Sequence, residues 1–325
     1  MKLLRRKFLH LAAAAAALPA VSRVARAQSY PTRPVRLVVG FAPAGGNDIA
    51  ARLLGRWLSE RLGQQCVVEN RPGAATNVAT EAVVNASPDG YTLLFVSTPA
   101  AINATLYEGL KFNFIRDIAP IASIAHLPSI LTVHPSVPAE TVPEFIAYAK
   151  SNPGKINMAS AGVGSSGHLA GELFKMMTGT NLVHVPYRGN GPALTDLLGG
   201  QVQVLFPTAP SAIEYIKSGK LRGLGVTTPV RSQTLPDIPA VAEFVPGYEA
   251  TAWYGIGAPK RTPAEIIDRL NKETNAGLAD PQLKARLVGL ALEPISMTSA
   301  EFGTFIAEEI AKWGKVIRAA NIKVE

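Results

Sequence analysis

The sequence has few of the residues that build disulfides and metal centres. It contains one cysteine, Cys66, and five histidines in 325 residues, and aromatic residues make up 7% of it. A single cysteine excludes an internal disulfide, and so few histidines argue against a His-rich metal site. No apolar stretch reaches the roughly 20 residues that span a bilayer. The fold must therefore be held together by core burial alone.

The apparent excess of positive charge belongs to the N-terminus. Residues 1–27 combine a basic start, an Ala-rich apolar stretch and a small-x-small site at Ala25-Arg26-Ala27, which is typical of an export signal. We predict a signal peptide cleaved after Ala27 and a periplasmic protein. Arg5-Arg6 followed by Phe8-Leu9 resembles a twin-arginine signal, so both Tat and Sec export remain open.

Removing this segment changes the charge of the protein. Six basic residues and no acidic residue lie in it, so the formal charge of +8 becomes 8 − 6 = +2. A nearly neutral chain lacks the clustered positive field that nucleic-acid binding needs, so no nucleic-acid partner is expected. The remaining ~298 residues suggest two lobes. Cys66, in "QQCVVEN", is predicted to be a small core residue of a buried strand.

Apolar runs that resemble strands alternate with amphipathic helical patterns along the chain. This alternation predicts α/β lobes, each with a mostly parallel sheet flanked by helices. Three Thr-x-x-Glu capping boxes predict helix starts, at Thr141, Thr262 and Thr298. The predicted strands are 35–41, 66–69, 92–96, 131–133, 156–160, 182–185, 202–206, 221–226 and 253–257. The predicted helices are 48–62, 142–151, 168–178, 192–198 and 212–218, followed by a mostly helical segment from 263 to about 320.

One unit of strand, Gly-rich loop and helix occurs twice. "VRLVVGFAPAGGNDIAARLLGRWL" and "KINMASAGVGSSGHLAGELFKMM" each place glycines at the start of a helix. The free N–H groups and the dipole of a helix N-terminus favour an anion. If two lobes face one another, both loops can hold a single anionic ligand.

The second loop also matches a dinucleotide motif, G-x-G-x-x-G, at Gly162, Gly164 and Gly167. A dinucleotide fold needs an acidic residue about 20 positions later, and none lies between Asn181 and Ala193. Arg188 could instead meet a 2′-phosphate, so an exported NADP-binding oxidoreductase is the alternative function.

A serine hydrolase is a second alternative. Ser165 and Ser166 lie in the same loop, but neither has the Gly-x-Ser-x-Gly context, and helix capping explains them better. His168, Glu172 and His184 lack the spacing of metal ligands. Asp48 is either a ligand contact or a favourable charge at a helix N-terminus, and both readings stay open.

The ordered motifs resemble one family, the Bug proteins, which are periplasmic substrate-binding proteins of tripartite tricarboxylate transporters. They run from "YPTRPVRLVVGFAPAGGNDIAARLL" through "VVENRPGAATN", "SPDGYTLL", "SAGVGSSGHLAGELF", "VHVPYRGNGPALTDLLGGQVQVLF" and "GKLRGLGVTT" to "PGYEATAWYGIGAP" and "EIAKWGKVI". The resemblance covers essentially the whole mature chain. It implies a two-lobe, Venus-flytrap fold: lobe 1 from residues 28–126 and 251–325, and lobe 2 from residues 127–250.

The resemblance also implies a function without catalysis. A protein of this kind captures a small carboxylate between its lobes, uses no metal or cofactor, and delivers the ligand to membrane permease subunits. A sensor kinase is the alternative partner, and a monomer is expected.

The family pattern assigns ligand contacts to both lobes. Two departures from it stand out: Ala75-Thr76 replace a usual Gly-Gly, and Pro207-Thr208 stand where many relatives carry an Asp. The missing acid argues against a ligand with a positive amino group. Arg188 is either a ligand cation or part of a surface ion pair. The candidate ligand-binding residues are Phe41, Ala44, Gly45, Gly46, Asn47, Asp48, Ser97, Thr98, Ser160, Gly162, Gly164, Ser165, Ser166, His168, Tyr187, Arg188, Gly189, Pro207 and Thr208.

Overall fold

A computed structural model describes residues 30–319 together with residues 322 and 323. The predicted signal peptide and its cleavage site after Ala27 lie outside these residues, as do the first and last residues of the predicted lobe 1. Within the described part of the chain, no helix is both long and apolar enough to cross a membrane.

Two sheets and the helices around them make up the fold. Between residues 30 and 319 the strands are β1 (Val35–Val39), β2 (Cys66–Asn70), β3 (Thr92–Ser97), β4 (Ile118–Leu127), β5 (Ile130–Val133), β6 (Asn157–Ser160), β7 (Val183–Pro186), β8 (Val204–Leu205), β9 (Arg222–Val226), β10 (Ala252–Pro259) and β11 (Glu293–Pro294). The helices are α1 (Gly46–Leu62), α2 (Asn77–Val84), α3 (Pro99–Leu106), α4 (Phe114–Asp117), α5 (Val142–Ser151), α6 (Ser166–Thr178), α7 (Asn190–Leu198), α8 (Ala209–Lys217), α9 (Ala264–Ala279), α10 (Pro281–Gly289) and α11 (Ser299–Ala319). Short 3₁₀ turns occur at Ala74–Thr76 and Val241–Glu243.

The first sheet has the strand order β11-β4-β10-β3-β1-β2. β1 pairs in parallel with β2 and β3, whereas β10 runs antiparallel between β3 and β4, and β11 runs antiparallel to β4. This sheet therefore joins strands from the start of the chain to strands that follow β9.

The second sheet is built from the middle of the chain, in the order β7-β6-β8-β5-β9. β6 pairs in parallel with β7 and β8, and β5 is antiparallel to β8 and β9. The predicted α/β architecture of two sheets flanked by helices is confirmed. Both sheets are mixed, because β10 and β11 in the first and β5 in the second oppose the other strands.

The sequence prediction missed β4 and β11. β4 reads IAPIASIAHL, in which Pro120 and the small residues weaken the strand signal, and its pairing with β10 carries two register irregularities. β11 has only two residues and interrupts the predicted C-terminal helical segment. β4 forms a strand because it pairs with β10, and β11 forms a strand because it pairs with β4; local propensity favours neither.

One of the three predicted capping boxes forms completely, at Thr298. At Thr141 only the side-chain cap forms, because the Glu144 carboxylate accepts from the Glu140 amide instead. The Glu144 amide donates to Thr141 Oγ1, and the Glu301 amide donates to Thr298 Oγ1 while Glu301 accepts from the Thr298 amide. The box at Thr262 is wrong, because α9 begins after Pro263 without a side-chain cap. Among the described residues, the buried Thr262 Oγ1 has no hydrogen-bond partner.

Hydrogen bonds join the two segments where the chain passes between the sheets. The first segment follows β4 and the second precedes β10. Thr227 links them: its Oγ1 accepts from the Ser129 amide at 2.9 Å and donates to the Ala250 carbonyl at 2.9 Å. Thr227 therefore hydrogen-bonds to both of the chain segments that connect the two sheets.

The prediction for Cys66 needs a correction. It lies in β2, the edge strand of the first sheet, where the neighbouring Val67 is 45% exposed, so the strand is not fully buried. Cys66 itself is partly buried, and burial raises the pKa of its thiol to about 12. A thiol that stays protonated behaves as a small packing group.

Candidate functional site

The first Gly-rich loop connects β1 to α1 and is stabilised by Asp48. The buried Asp48 carboxylate accepts a hydrogen bond from the Ala44 amide at 3.0 Å and pairs with Arg52. Burial acts to raise the pKa of Asp48, but the bonds from Arg52 and Ala44 outweigh it and lower the pKa. Ala44 has a φ of 64°, a left-handed conformation that the bond to Asp48 helps to hold. Asp48 therefore shapes the loop.

The second Gly-rich loop, between β6 and α6, is bonded largely to itself. The Gly162 amide donates to Ser160 Oγ at 3.1 Å, and the Gly164 amide donates to His168 Nδ1 at 3.2 Å. Ser165 Oγ accepts from the His168 amide at 3.2 Å and so caps α6. Two of the amides assigned to an anion are thus engaged within the loop, and the capping role explains Ser165. Ser166, the first residue of α6, is partly exposed.

The imidazole rings of His168 and His184 pack against each other and hydrogen-bond to this loop. The rings of His168 and His184 stack with centroids 4.1 Å apart, and Ser160 Oγ lies 2.6 Å from His184 Nε2. Burial lowers the pKa of His168 to about 4, with Lys175 adding to the effect. Burial, followed by the charge of His168, lowers the pKa of His184 to about 4. Both rings are neutral at pH 7, and neutral His168 can accept the Gly164 N–H.

The loops that follow the strands of the two sheets touch one another. The Ala42 amide, in the first Gly-rich loop, donates to the Arg188 carbonyl, after β7, at 3.1 Å. Tyr254 Oη in β10 donates to Thr208 Oγ1, after β8, at 3.3 Å, and the Asn190 amide group donates to the same oxygen at 3.2 Å. In this structure, loops of the first sheet are therefore in direct contact with loops of the second sheet, which is a closed arrangement.

Glycine makes this approach possible at Gly46 and Gly189. A Cβ at Gly46 would lie 2.3 Å from Thr208 Oγ1, and one at Gly189 would lie 3.0 Å from the Ala42 nitrogen. Gly45 is looser, because its Cβ would meet atoms of Ala42 and Asn190 only at 3.7 Å. Side chains at Gly46 or Gly189 would push the two loops apart.

A cavity of about 230 Å³ lies where the loops meet. It is smaller than the ~300–1,000 Å³ pockets that hold drug-sized ligands, so it suits a small molecule. Residues after β1, β2, α3, β6 and β7 contribute to its wall. The lining residues are Gly40, Phe41, Gly73, Ala74, Ala75, Tyr107, Ala161, Gly162, Val163, Tyr187 and Arg188.

Four of the predicted residues line the cavity: Phe41, Gly162, Tyr187 and Arg188. Others lie around it as structural contacts. Thr98 Oγ1 accepts from the Trp253 amide at 2.9 Å, and Ser97 is buried at the end of β3 with an Oγ that has no partner among the described residues. The Pro207 carbonyl accepts from the Ile130 amide, and Asn47 is buried in the first turn of α1.

Seven lining residues were not predicted from the sequence. The segment Gly73–Thr76 carried a usable signal, since Ala75 and Thr76 were noted where the family pattern has Gly-Gly. Ala74, Ala75 and Thr76 have φ values of 42°, 43° and 82°, the left-handed region that glycine tolerates best. Such strain beside a cavity is typical of a ligand site. No sequence pattern around Tyr107 indicated a ligand contact, because the position of this residue depends on how α3 packs.

A wider groove of about 790 Å³ lies beside the chain crossings, near His126 and Trp253. Three carboxylates line it, and Glu309 accepts hydrogen bonds from the indole N–H groups of Trp253 and Trp313. Lys312 pairs with Glu249 at 3.0 Å. Its three carboxylates are matched by Arg231, Lys284 and Lys312, so charge does not mark it as an anion site. The smaller cavity is the better candidate because it lies where loops of the two sheets meet. The described residues contain no group of His, Cys, Asp and Glu side chains that could hold a metal ion.

Residues 50–322 match the family described as "Tripartite tricarboxylate transporter family receptor". The chain belongs to this receptor family. It is 35% identical over 302 residues to BugT of Bordetella pertussis, covering 92% of this chain and 93% of BugT.

Solved structures of similar proteins agree with this membership. An R. palustris protein solved with adipate is 36% identical with a TM-score of 0.88, covering 90% of this chain and 99% of that one. MatC from Rhodopseudomonas palustris with bound malate is 30% identical with a TM-score of 0.84, covering 89% and 100%. The periplasmic binding protein BugD is 33% identical with a TM-score of 0.88, covering 91% and 100%. The predicted Bug-family resemblance and its two-lobe, binding-protein-like fold are confirmed.

The histidine pair predicts an acid-sensitive receptor. Because the folded pKa values of about 4 lie below the ~6.5 of a free histidine, the unfolded chain binds more protons between pH 6.5 and 4. The stability from the neutral rings is complete above pH 6.5 and is lost as the pH falls towards 4, by at most about 3 kcal/mol for His168. Urea unfolding at a series of pH values measures this loss.

A variant separates this pair from other acid effects. His184→Asn should flatten the loss of stability between pH 6.5 and 4, whereas His134→Asn, a change at a histidine outside the pair, should leave it unchanged. An acid limb in His184→Asn as steep as that of the unchanged protein contradicts the assignment.

Proposed function

We propose that this chain is an extracytoplasmic receptor that closes two lobes on a small organic acid and delivers it to a tripartite tricarboxylate-type membrane permease. The observation that carries the proposal is the small cavity between loops of the two sheets, with Arg188 in its wall. Bound adipate and malate in two similar proteins support a carboxylate as the ligand class. Closure is the signal that the permease reads, because ligand contacts from both sides favour the closed form.

The proposal includes the organisation of the chain. Lobe 1 comprises residues 28–126 and 251–325, and lobe 2 comprises residues 127–250. The strand composition of the two sheets supports these limits. The protein is exported, cleaved after Ala27 and active as a monomer in the periplasm, with no catalytic role. The mass of the periplasmic protein and its elution on size exclusion test these points.

The function is tested by thermal denaturation of the mature protein with candidate ligands. Monocarboxylates, dicarboxylates, tricarboxylates, aromatic acids and amino acids are each added in excess. We expect at least one acid to raise the midpoint, because a ligand that binds only the folded chain stabilises it by mass action. At 100 times its Kd the gain is about 2.7 kcal/mol.

Other results would favour the rival functions. Saturable NADP binding without a response to any acid would point to the oxidoreductase. Esterase activity that is lost in Ser165→Ala or Ser166→Ala would point to a hydrolase. Ligand-dependent binding to a sensor kinase ectodomain, without binding to the permease, would replace transport by sensing.

A further inference from the structure

The wall of the cavity is more apolar than its two tyrosines suggest. Tyr107 Oη donates to the Val163 carbonyl at 2.9 Å, and Tyr187 Oη donates to Asp196 Oδ2 at 2.6 Å. Both hydroxyls are therefore bonded to the protein, and what the tyrosines add to the wall is mainly their rings. Burial, followed by the bond to Asp196, raises the pKa of Tyr187 to about 12, so this hydroxyl stays protonated and keeps its bond.

The other lining side chains are also hydrocarbon or absent. Phe41 and Val163 add an aromatic ring and a branched aliphatic group, and the remaining uncharged positions are alanine or glycine. A ligand held here exchanges water for carbon surface over most of its body, which favours apolar ligand atoms.

One charged side chain, that of Arg188, belongs to a residue that lines the cavity. Arg188 is the only ionisable side chain, other than the two tyrosines, among the described residues that line the cavity. It is exposed and forms no ion pair with another described residue. Among the described lining residues there is no aspartate or glutamate to receive an ammonium group. A single unpaired guanidinium fits one carboxylate, which it can bind with two parallel hydrogen bonds.

A second carboxylate would find no second cation and no free side-chain hydroxyl among the described lining residues, because both tyrosine hydroxyls are engaged. The amides of Gly162 and Gly164 are engaged with Ser160 and His168, and the Ala42 amide donates to the Arg188 carbonyl. Burying a charged group without an opposite charge beside it is unfavourable. The cavity is thus built for one charged end and one apolar end.

We propose that the preferred ligand is a monocarboxylate with an apolar body, aromatic or aliphatic, whose carboxylate meets Arg188. This inference rests on the proposed function, because it narrows the class of organic acid that the receptor captures. Tyr107 and Tyr187 act as specificity residues through their rings.

Matched acids test the proposal by calorimetry on the mature protein. Hexanoate, adipate and 6-aminohexanoate share one chain and differ at the far end, which is methyl, carboxylate or ammonium. Benzoate and terephthalate form the aromatic pair. The monoacid of at least one pair should bind about tenfold or more tightly than its partners. Tighter binding of adipate, terephthalate, malate or citrate would overturn the inference while leaving the receptor function intact. Lack of binding by every acid would refute the receptor function itself.

Variants test the two ends of the ligand separately. Arg188→Gln should weaken binding of the preferred monoacid about 10- to 100-fold, since it removes a charge-assisted hydrogen bond. Arg56→Gln, at an exposed arginine of α1, should leave binding unchanged.

Tyr187→Phe should keep the affinity because it keeps the ring, whereas Tyr187→Asn should lower it. Equal losses in Tyr187→Phe and Tyr187→Asn would show that the hydroxyl, not the ring, serves the ligand, and would overturn the apolar wall. Unfolding midpoints without ligand identify any variant that fails to fold.

Discussion

Gly46→Ala should weaken ligand binding about 10- to 100-fold, whereas Gly45→Ala should leave it nearly unchanged. The added Cβ at Gly46 would lie 2.3 Å from Thr208 Oγ1 and 2.8 Å from Tyr254 Oη, too close for any real contact. Thr208 follows β8 of the second sheet, so relief of the clash separates the two loops. Overpacking of this kind costs about 1–3 kcal/mol, and each 1.4 kcal/mol is tenfold in affinity.

Gly45 is a close control for this prediction. It precedes Gly46, has a φ of −84° that alanine adopts freely, and its Cβ would meet other atoms only at 3.7 Å. Calorimetry gives the affinities, and small-angle scattering with saturating ligand reports whether the variant stays open. The double variant Gly46→Ala/Thr208→Ala should recover part of the affinity, because the nearest clashing atom is gone. Normal affinity in Gly46→Ala alone would show that the loops need not approach this closely.

Gly167→Ala should lower the free energy of unfolding by about 3 kcal/mol, the upper end of ordinary overpacking. Its Cβ would lie 2.4 Å from the carbonyl oxygen of Phe206 and 3.3 Å from the carbonyl carbon. These are backbone atoms directly after β8, so no side-chain rotation relieves the clash and α6 must move away from the sheet. Urea denaturation measures the loss.

The matched change is Gly289→Ala. Gly289 ends α10, and its Cβ would meet nothing within 4 Å. Since alanine favours helix over glycine by up to ~1 kcal/mol, this variant should be as stable as the unchanged protein or slightly more so. Equal unfolding midpoints for Gly167→Ala and the unchanged protein would mean that α6 does not need this glycine.

Close packing of α6, together with loop geometry, explains the nucleotide-like motif. Gly162 and Gly164 have φ values of 121° and 85°, and Gly167 lets α6 approach β8. The sequence pattern therefore located a Gly-rich loop correctly, and it could not say whether the loop amides were free. That depends on Ser160 and His168, whose bonds to the amides require the folded loop.

The strands were predictable where apolar runs are long, and the cavity was predictable only in part. Thr92–Ser97 is fully buried and Val35–Val39 is buried except at Arg36, and both strands differ from the prediction by one or two residues at an end. Tyr107 and Ala161 were missed, because their role arises from packing between segments distant in the sequence. The strained Ala74–Thr76 turn was predictable in part. Ala75-Thr76 in place of Gly-Gly indicated that this loop is unusual, but the residue types did not give its conformation.

The central position of β10 imposes an order on folding. β3 and β4 do not pair with each other in the first sheet, since β10 lies between them and is contributed by a segment that follows the whole second sheet. The second sheet consists of one continuous stretch of chain, Ile130–Val226, and can assemble as soon as that stretch is available. As the chain leaves the ribosome or translocon, the second sheet can therefore form early, while the first waits as two separate pieces for the last quarter of the protein.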